Sequence, residues 1–345
     1  MSVEVREATQ SDLEQWNSYV DQSPWAGLFH RDEALATLAR HTGCSLTRLV
    51  GFKGQEPVGI FPVFELRKGP VTAVVSPPPD VRVPYLGPAP LNVGKLKQRK
   101  AERRHRRFVV GALDWIDDRL DPQYTHLRLH RGYPDLRPLT WEAFDTDPAY
   151  TYLVDLSVGR DALLDSFSRD ARTNVRDGQD DERIVIREGG RANIPFILER
   201  VRERYRAQGV DFRLPTALVT DLYDDLPEGA IRPYVCRVDE RPVGGILALE
   251  HGETVSRWQG GVKTDTEAAV NDLLDWQVMT DGIDRGCATY DLVGANNRRI
   301  NEYKAKFNPE LQPFYSVERG STVVTLATRL YDQLRSASGT ITPAK

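Results

Sequence analysis

The chain has 345 residues, which at roughly 150 residues per domain favours two domains. Hydrophobic residues make up 40% and charged residues 28% of the sequence, a composition typical of a globular protein and unlike that of a disordered chain. The formal net charge of -4 provides no overall attraction to nucleic acid or to an anionic membrane. Any polyanion must therefore be bound by a local cluster of basic residues.

The three cysteines, Cys44, Cys236 and Cys287, have no CxxC spacing, and the six histidines include no HExxH motif. These patterns argue against a disulfide framework and predict no catalytic metal. The N-terminal residues lack a basic segment followed by an apolar one, and no apolar run approaches the roughly 18 residues of a membrane span. We therefore expect a protein of the reducing cytoplasm, neither exported nor inserted in a membrane.

The first half begins with two predicted helices, around residues 10–20 and 31–41. From Leu49, three apolar strands separated by polar, glycine-containing turns predict an antiparallel meander. A proline-rich run, SPPPDVRVPYLGPAP from Ser76, follows and predicts an extended loop rather than a central strand. A helix containing the tripeptide Leu113-Asp114-Trp115 and a strand from Tyr124 complete this half.

The segment 95–107, KLKQRKAERRHRR, opens the helix of the first half with eight Lys or Arg residues and one Glu. It is the strongest basic cluster in the sequence. We expect it to be the place where the protein would bind an acidic partner such as RNA.

The second half repeats the first. A helix around residues 191–209 precedes a second meander from Pro233, which contains the same Pro-Val-Gly turn, and the tripeptide recurs at Leu274-Asp275-Trp276 before a strand from Thr289. A period of this size indicates duplicated domains rather than a solenoid. The sequence therefore predicts an α+β fold of two tandem domains, 1–150 and 151–345, each a mixed sheet flanked by helices.

A stripe of arginines is predicted on the helix that begins at Asp161. Arg169, Arg172 and Arg176 are three and four residues apart and therefore lie on one helical face. Guanidinium groups in a row suit bidentate contacts to phosphate. Alternatively, they pair on the surface with the neighbouring aspartates at positions 165, 170 and 177.

The segment from Tyr290 to Tyr315 contains the second cluster of candidate residues. A strand ends at Val293, Gly294 allows a tight turn, and Asn296 or Asn297 can cap the next helix. Such a turn directs backbone N–H groups and the positive helix end towards one point, which favours an anion by about 0.3–1 kcal/mol. Four cations near this helix start, Arg298, Arg299, Lys304 and Lys306, would add charge, unless they form a solvated helix face.

These two segments resemble motifs of the Fem-type transferases, which are tandem GNAT proteins. The C-terminal segment is similar to the family's aromatic-Lys-x-x-Phe motif, with Tyr303, Lys304 and Phe307 at the matching positions. The segment from Asp161 resembles the family's arginine-bearing helix at Arg169, Arg172, Asn174 and Arg176. The resemblance implies two GNAT domains and transfer of an acyl or aminoacyl group, from acyl-CoA or aminoacyl-tRNA, without a tightly bound cofactor.

The sequence also departs from the family pattern. A GNAT that uses acetyl-CoA has a glycine-rich turn after its fourth strand, whereas the corresponding residues here, 263–267, contain no glycine. This departure puts coenzyme A in doubt as the donor. The helical arm that some family members use on tRNA is also absent, and the basic segment 95–107 is the candidate substitute.

We expect the second domain to contain the reacting groups. The predicted catalytic residues are Lys304, for the oxyanion or the donor phosphate, and Asp291, for proton removal, with a helix-capping or Arg-pairing role as the alternative for Asp291. The predicted donor-binding residues are Arg169, Arg172, Arg176, Asn296, Asn297, Arg298, Tyr303 and Lys306. The predicted substrate-binding residues are Trp258, Gln259 and Tyr315.

Two classes of function remain open. The first is an acyltransferase acting on an amine acceptor, with either aminoacyl-tRNA or acyl-CoA as its donor. The second is a catalytically silent tandem GNAT module that binds RNA or an acidic partner through residues 95–107. A ligand that stabilises the folded chain would distinguish them.

Overall fold

The computed structural model describes residues 2–262 and 269–320, which form two compact units. The first unit contains the residues up to Ala149 and a segment beginning at Pro313, and the second is Tyr150–Gln312. The sequence had assigned the whole C-terminal part to the second domain, whereas the residues from Pro313 return to the first.

The chain order of the elements is α, α, β-meander, α, β in both units, as predicted from the repeat. The strands are β1 (Glu4–Glu7), β2 (Ser45–Lys53), β3 (Glu56–Lys68), β4 (Val71–Ser76), β5 (Ala89–Pro90), β6 (Tyr124–Arg128), β7 (Asp145–Asp155), β8 (Ile184–Glu188), β9 (Ile231–Val238), β10 (Arg241–His251), β11 (Thr254–Val262), β12 (Thr289–Asp291) and β13 (Glu310–Gly320). The helices are α1 (Gln10–Asp21), α2 (Asp32–Thr42), α3 (Gln98–Leu120), α4 (Arg137–Trp141), α5 (Arg160–Ser166), α6 (Arg169–Asp180), α7 (Ile194–Ala207), α8 (Thr216–Asp225), α9 (Val270–Asp284) and α10 (Arg298–Ala305).

The sheet of the first unit has the strand order β1-β2-β3-β4-β6-β13, with β5 paired to β3. The meander β2-β3-β4 is antiparallel, β4 and β6 are parallel, and β13 closes on β6 in antiparallel register, with Ser316 opposite Arg128. This last pairing joins strands almost 200 residues apart in the chain. Hydrophobic periodicity alone gives no information on such a pairing.

Helix α3 covers one face of this sheet and buries Phe108 completely. The ring fits because two facing strand residues are glycines: a Cβ added at Gly51 or Gly59 would lie 2.4 or 2.3 Å from it. The glycine of the repeated Pro-Val-Gly turn therefore has a packing role in the first unit.

The sheet of the second unit has the strand order β7-β12-β11-β10-β9-β8. Strands β8 to β11 are antiparallel neighbours, and β11 and β12 are parallel. Helix α9 buries residues on all its sides, including Asp272 and Asp275, whereas α3 keeps one side in solvent. The predicted fold class, two α+β domains built from the same unit, is confirmed.

The structure differs from the predicted elements in two places. The single helix expected from Asp161 is two helices, because the chain breaks at Phe167 and Ser168, whose hydroxyl accepts from the N–H of Ala171 and starts α6. Helix α8 was not predicted. The predicted turn at residues 263–267 lies outside the described residues.

Candidate functional site

In the second unit, the parallel ladder of β11 and β12 is short. It runs from Thr254 opposite Thr289 to Ser256 opposite Asp291 and then ends, while β11 continues beside β10 to Val262. A crevice outside the carboxyl ends of parallel strands is the usual ligand site of open sheets. The predicted residues of β11 and of the turn after β12 lie at this end of the ladder.

A bulge interrupts β11 at this point. The register with β10 slips so that Leu247 lies opposite Gln259 and Ala248 opposite Arg257, which leaves Trp258 as the extra residue. Trp258 is buried and Gln259 is half-buried. Gly261 allows the backbone of α7 to approach, since an added Cβ would lie 2.6 Å from the carbonyl carbon of Arg200. This glycine therefore serves helix packing.

The turn after β12 is held in a strained conformation. Val293 and Gly294 both have positive φ, +48° and +86°, and a β-branched residue rarely adopts such an angle. The carboxylate of Asp291 accepts hydrogen bonds from the Val293 N–H (2.8 Å) and the Thr151 hydroxyl (2.6 Å). Asp291 is 1% exposed. These contacts give Asp291 a structural role in the turn, and its role in proton removal stays a prediction.

Lys304 is directed into this turn. Its ammonium group donates to the carbonyl oxygens of Val293 (2.8 Å) and Gly294 (2.7 Å), and only 6% of the residue is exposed. Burial, together with the nearby charge of Arg257, lowers the pKa of Lys304 to about 7, against the opposite effect of Asp275 and Asp291. Two of the three ammonium donors are committed to the turn, so one is left for a ligand.

A buried ion pair lies behind the lysine. The carboxylate of Asp275, which has no exposed surface, accepts from Arg257 Nε (2.8 Å) and from the hydroxyls of Tyr290 and Tyr303 (2.5 Å each). The sequence did not identify Asp275, Arg257 or Tyr290 as site residues. The only available signal was the repeated Leu-Asp-Trp tripeptide, whose first-unit aspartate, Asp114, is exposed.

The two segments that resemble Fem-type motifs come together in the structure. The Ser168 N–H at the start of α6 donates to the carbonyl of Lys306 at 2.8 Å. The buried carboxylate of Asp272 receives both the Asn174 amide (2.7 Å) and the ammonium of Lys306. Lys306 also lies 4.2 Å from the ring centre of Tyr303. This cluster ties α6 to α9 and α10.

The three arginines of the predicted stripe do share helix α6, but their contacts differ. Arg172 is half-buried and donates to the carbonyls of Asp165 (2.8 Å) and Phe167 (2.7 Å). Arg176 pairs with Asp165 at 3.6 Å, with both side chains largely exposed. Arg169 is exposed. Surface pairing thus accounts for part of the stripe, and its donor-binding role stays a prediction.

The remaining predicted residues occupy different surroundings. Asn296 exchanges hydrogen bonds with the backbone of Tyr150 (2.9 and 3.3 Å), and Asn297 accepts from the Ile300 N–H (3.4 Å) at the start of α10. The Arg298 side chain is 96% exposed. Tyr315 lies in the first unit, where it packs against the hydrophobic core.

The basic segment forms the first turns of α3, in the first unit. Helix α3 starts at Gln98, and Arg104 is buried, where it pairs with Glu56 through two hydrogen bonds (2.6 and 3.1 Å). The other seven cations of the segment are exposed, at positions 95, 97, 99, 100, 103, 106 and 107. Among residues 2–262 and 269–320, no group of metal-binding side chains is placed to hold an ion, and no helix is long and apolar enough to cross a bilayer.

The two mixed sheets, built from the same order of elements, form a tandem GNAT fold. Residues 165–305 match the family model described as an acetyltransferase (GNAT) domain. In sequence, no curated protein is significantly similar to the chain.

Three solved structures share this fold across almost their whole length. FemX has a TM-score of 0.70 at 12% identity, covering 90% of this chain and 96% of its own. The L-PGS of Bacillus licheniformis has a TM-score of 0.55 at 10% identity, with 97% and 99% covered. A tandem GNAT protein from the clavulanic acid biosynthesis pathway has a TM-score of 0.52 at 12% identity, with 92% and 98% covered. The chain therefore has the fold of FemX-like tandem GNAT proteins.

Proposed function

We propose that the protein is an acyltransferase that moves an aminoacyl or acyl group from an activated donor to an amine, and that its second unit performs the reaction. The observation that carries this proposal is the end of the β11-β12 ladder. Immediately beyond it come the bulge at Trp258 and the strained turn at Val293 and Gly294, with the Lys304 ammonium behind the turn. Strain of this kind concentrates where a protein binds or converts a ligand.

The proposed reaction is a direct transfer. The acceptor amine attacks the donor carbonyl, the bond to the leaving oxygen or sulfur breaks, and the leaving group takes up the proton that the amine loses. Backbone N–H groups of residues 258–260, beyond the end of the ladder, polarise the carbonyl. The third N–H of Lys304 stabilises the developing oxyanion or a donor phosphate.

The cysteines of the second unit support a direct transfer over a thioester intermediate. Burial raises the pKa of Cys236 to about 12 and also raises the pKa of Cys287. The nucleophilic form of a cysteine is the thiolate, so both groups are poor nucleophiles at neutral pH.

For the donor we propose binding along the surface that joins α6 to α10, since the Ser168–Lys306 contact brings the start of α6 to the residue that follows α10. Arg169 and Arg298 are exposed members of the predicted donor-binding set. Arg172, Arg176, Asn296, Asn297, Tyr303 and Lys306 would shape and support this surface. Both aminoacyl-tRNA and acyl-CoA present the phosphates that such cations bind.

A panel of ligands tests the proposal. Unfolding of the full chain is followed with coenzyme A, acetyl-CoA, uncharged tRNA and aminoacyl-tRNA, and acyl transfer to amines is measured with each donor. A ligand at a hundred times its Kd stabilises the folded state by about 2.7 kcal/mol. The proposal fails if none of the donors stabilises the chain and none supports transfer.

The exposed cations of α3 favour a second candidate, a catalytically silent module that binds RNA or an acidic partner. Seven exposed Lys and Arg side chains within residues 95–107 give this surface a high local charge on a chain of net charge -4. Uncharged tRNA would then stabilise the chain as well as aminoacyl-tRNA does, with no transfer. If the transferase proposal holds, the same surface is the proposed contact for tRNA, and the cytoplasm is the expected compartment.

A further inference from the structure

Three exposed arginines of α3 lie in a row on one face of the helix. Arg99, Arg103 and Arg106 are four and three residues apart, and Val110 and Asp114 continue the same face. At about 1.5 Å per residue, the stretch from Arg99 to Asp114 is roughly 22 Å long. A row of cations of this length can follow the backbone of an extended nucleic-acid strand.

The row leads into a cleft of the first unit. The cleft has a volume of about 580 Å³ and lies between α3, the residues that precede β1 and the end of α4. Arg106, Asp114, Trp141 and Glu142 are among the residues that line it. Small-molecule sites have volumes of this order, so the cleft has room for a single nucleotide.

Trp141 presents an open ring in this cleft. The residue is 60% exposed, more than any other large hydrophobic residue that the structure describes. The guanidinium of Arg137 lies 5.8 Å from the ring centre and pairs with Glu102 of α3 at 3.1 Å, which positions the end of α4 beside α3. An exposed aromatic ring next to a row of cations is the combination with which proteins stack the bases of single strands.

The polar side chains of the cleft are not used by the protein itself. Among residues 2–262 and 269–320, the side chains of Arg106, Asp114 and Glu142 form no hydrogen bond and no ion pair. The two carboxylates would repel a phosphate, but a carboxylate accepts hydrogen bonds from the amino group of a base, as Asp and Glu do from N4 of cytosine. Uracil has no such amino group. The Trp141 end of the row therefore suits a base, and the arginine row suits the phosphates.

We infer that the α3 surface binds single-stranded RNA, with one base stacked on Trp141 and the amino group of that base bound by the carboxylates of the cleft. The inference rests on the RNA binding proposed above for residues 95–107, and it adds the form of the RNA and the residue on which it stacks. A base that is paired within a duplex keeps its faces against its neighbours. The surface should therefore distinguish single strands from duplexes.

The test measures the binding of labelled RNA to the full chain by fluorescence anisotropy over a range of salt concentrations. The probes are oligo(C) and oligo(U) of equal length and a blunt RNA duplex. Trp141→Ala should weaken the Kd for oligo(C) at least about tenfold, equivalent to about 1.4 kcal/mol, and leave the Kd for the duplex unchanged. The slope of log K against log salt should stay that of the wild type, because no phosphate contact is lost. Trp141→Phe, which keeps an aromatic ring, should retain most of the binding.

The base amino group is tested separately. The wild type should bind oligo(C) more tightly than oligo(U), and the double change Asp114→Asn and Glu142→Gln should remove this preference. The control for the loss of an exposed apolar side chain is Val158→Ala in the second unit, where Val158 is 48% exposed. This variant should bind every probe as the wild type does.

The outcomes separate this inference from the proposal on which it rests. Equal oligo(C) binding by Trp141→Ala and the wild type would overturn the stacking while leaving RNA binding by α3 in place. Equal weakening of duplex and single-strand binding in Trp141→Ala, or weakened oligo(C) binding in Val158→Ala, would overturn it as well. If no RNA shows salt-dependent binding to the wild type, both the inference and the RNA-binding proposal are overturned.

Discussion

The ammonium nitrogen of Lys304 lies 2.7 Å from the carbonyl oxygen of Gly294, inside a turn whose backbone is held at positive φ on both of its central residues. The lysine therefore fixes the shape of the turn while one of its N–H groups stays available. A buried cation that supports strained backbone at the end of a parallel ladder has a structural role, and its catalytic role stays a prediction.

Replacing Lys304 tests whether it contributes to turnover more than an exposed cation of the same unit does. Lys304→Met should lower the turnover of the donor found by the ligand panel at least about tenfold, equivalent to about 1.4 kcal/mol of barrier. Arg183→Met is the control, because it removes an exposed cation of the same unit that has no assigned role in donor binding. Equal turnover in Lys304→Met and the wild type would remove the lysine from the mechanism.

The lowered pKa of Lys304 predicts how stability depends on pH. The group titrates near 7 in the folded chain, whereas an unfolded lysine titrates at about 10.4. Between these values the unfolded chain binds more protons, so the contribution of this group to the free energy of unfolding increases with pH and is lost again as pH falls towards 7. Urea unfolding of wild type and Lys304→Met is measured at pH 6, 8 and 9.5. The free energy of unfolding of the wild type should rise with pH relative to that of Lys304→Met. A difference that stays constant with pH contradicts the prediction.

Two glycines with the same backbone angle test the importance of the turn. Gly294 has φ +86° and Gly286 has φ +84°, and a Cβ added at either meets no atom within 4 Å. Alanine at either position should therefore cost a similar 1–2 kcal/mol, roughly, from backbone strain alone. Only Gly294→Ala should also reduce turnover. Similar turnover in both variants at matched stability would show that the turn geometry has no part in the reaction.

The duplicated aspartates provide a second matched pair. Asp275→Asn removes the carboxylate from a buried arginine, which should destabilise the chain by about 3–5 kcal/mol. Asp114→Asn changes the corresponding, exposed aspartate of the first unit and should stay within about 0.5 kcal/mol of wild type. Denaturant unfolding measures both, and equal effects would refute the proposed importance of the Arg257 pair.

The basic surface of α3 makes a quantitative prediction for tRNA. If phosphates bind there, the triple change Arg99→Gln, Arg103→Gln and Arg106→Gln should reduce the slope of log K against log salt by about 2–3, at roughly 0.7–0.9 per phosphate contact. The control is the triple change of exposed arginines in the second unit, Arg160→Gln, Arg183→Gln and Arg191→Gln. Salt-independent binding, or equal loss in both triples, would exclude α3 as the tRNA contact.

The repeated fold could be predicted from local sequence patterns. Alternating apolar residues and turn residues recur in the same order in both halves, and the strand predicted from Thr289 is present, although it ends at Asp291 rather than at Val293. These features depend on a few neighbouring residues, so periodicity and turn chemistry are sufficient to find them.

The side-chain contacts inside the site could not be predicted from such local patterns. Asp275 and Asp114 occupy the same place in the same tripeptide, but one is buried with Arg257 and the other is in solvent, because α9 is covered on all sides and α3 is not. The direction of the Lys304 side chain and the bulge at Trp258 likewise depend on strands that are distant in sequence. Tertiary packing decides these contacts.

The return of the segment from Pro313 to the first unit determines the order in which the protein can be completed during synthesis. Val317 is a fully buried member of the first hydrophobic core, and β13 supplies the partner of β6. The ribosome has already produced residues Tyr150–Gln312 of the second unit before Val317 appears. The second unit can therefore finish folding first, and a fragment that stops at Ala149 would leave the edge of β6 uncovered and prone to association with other chains.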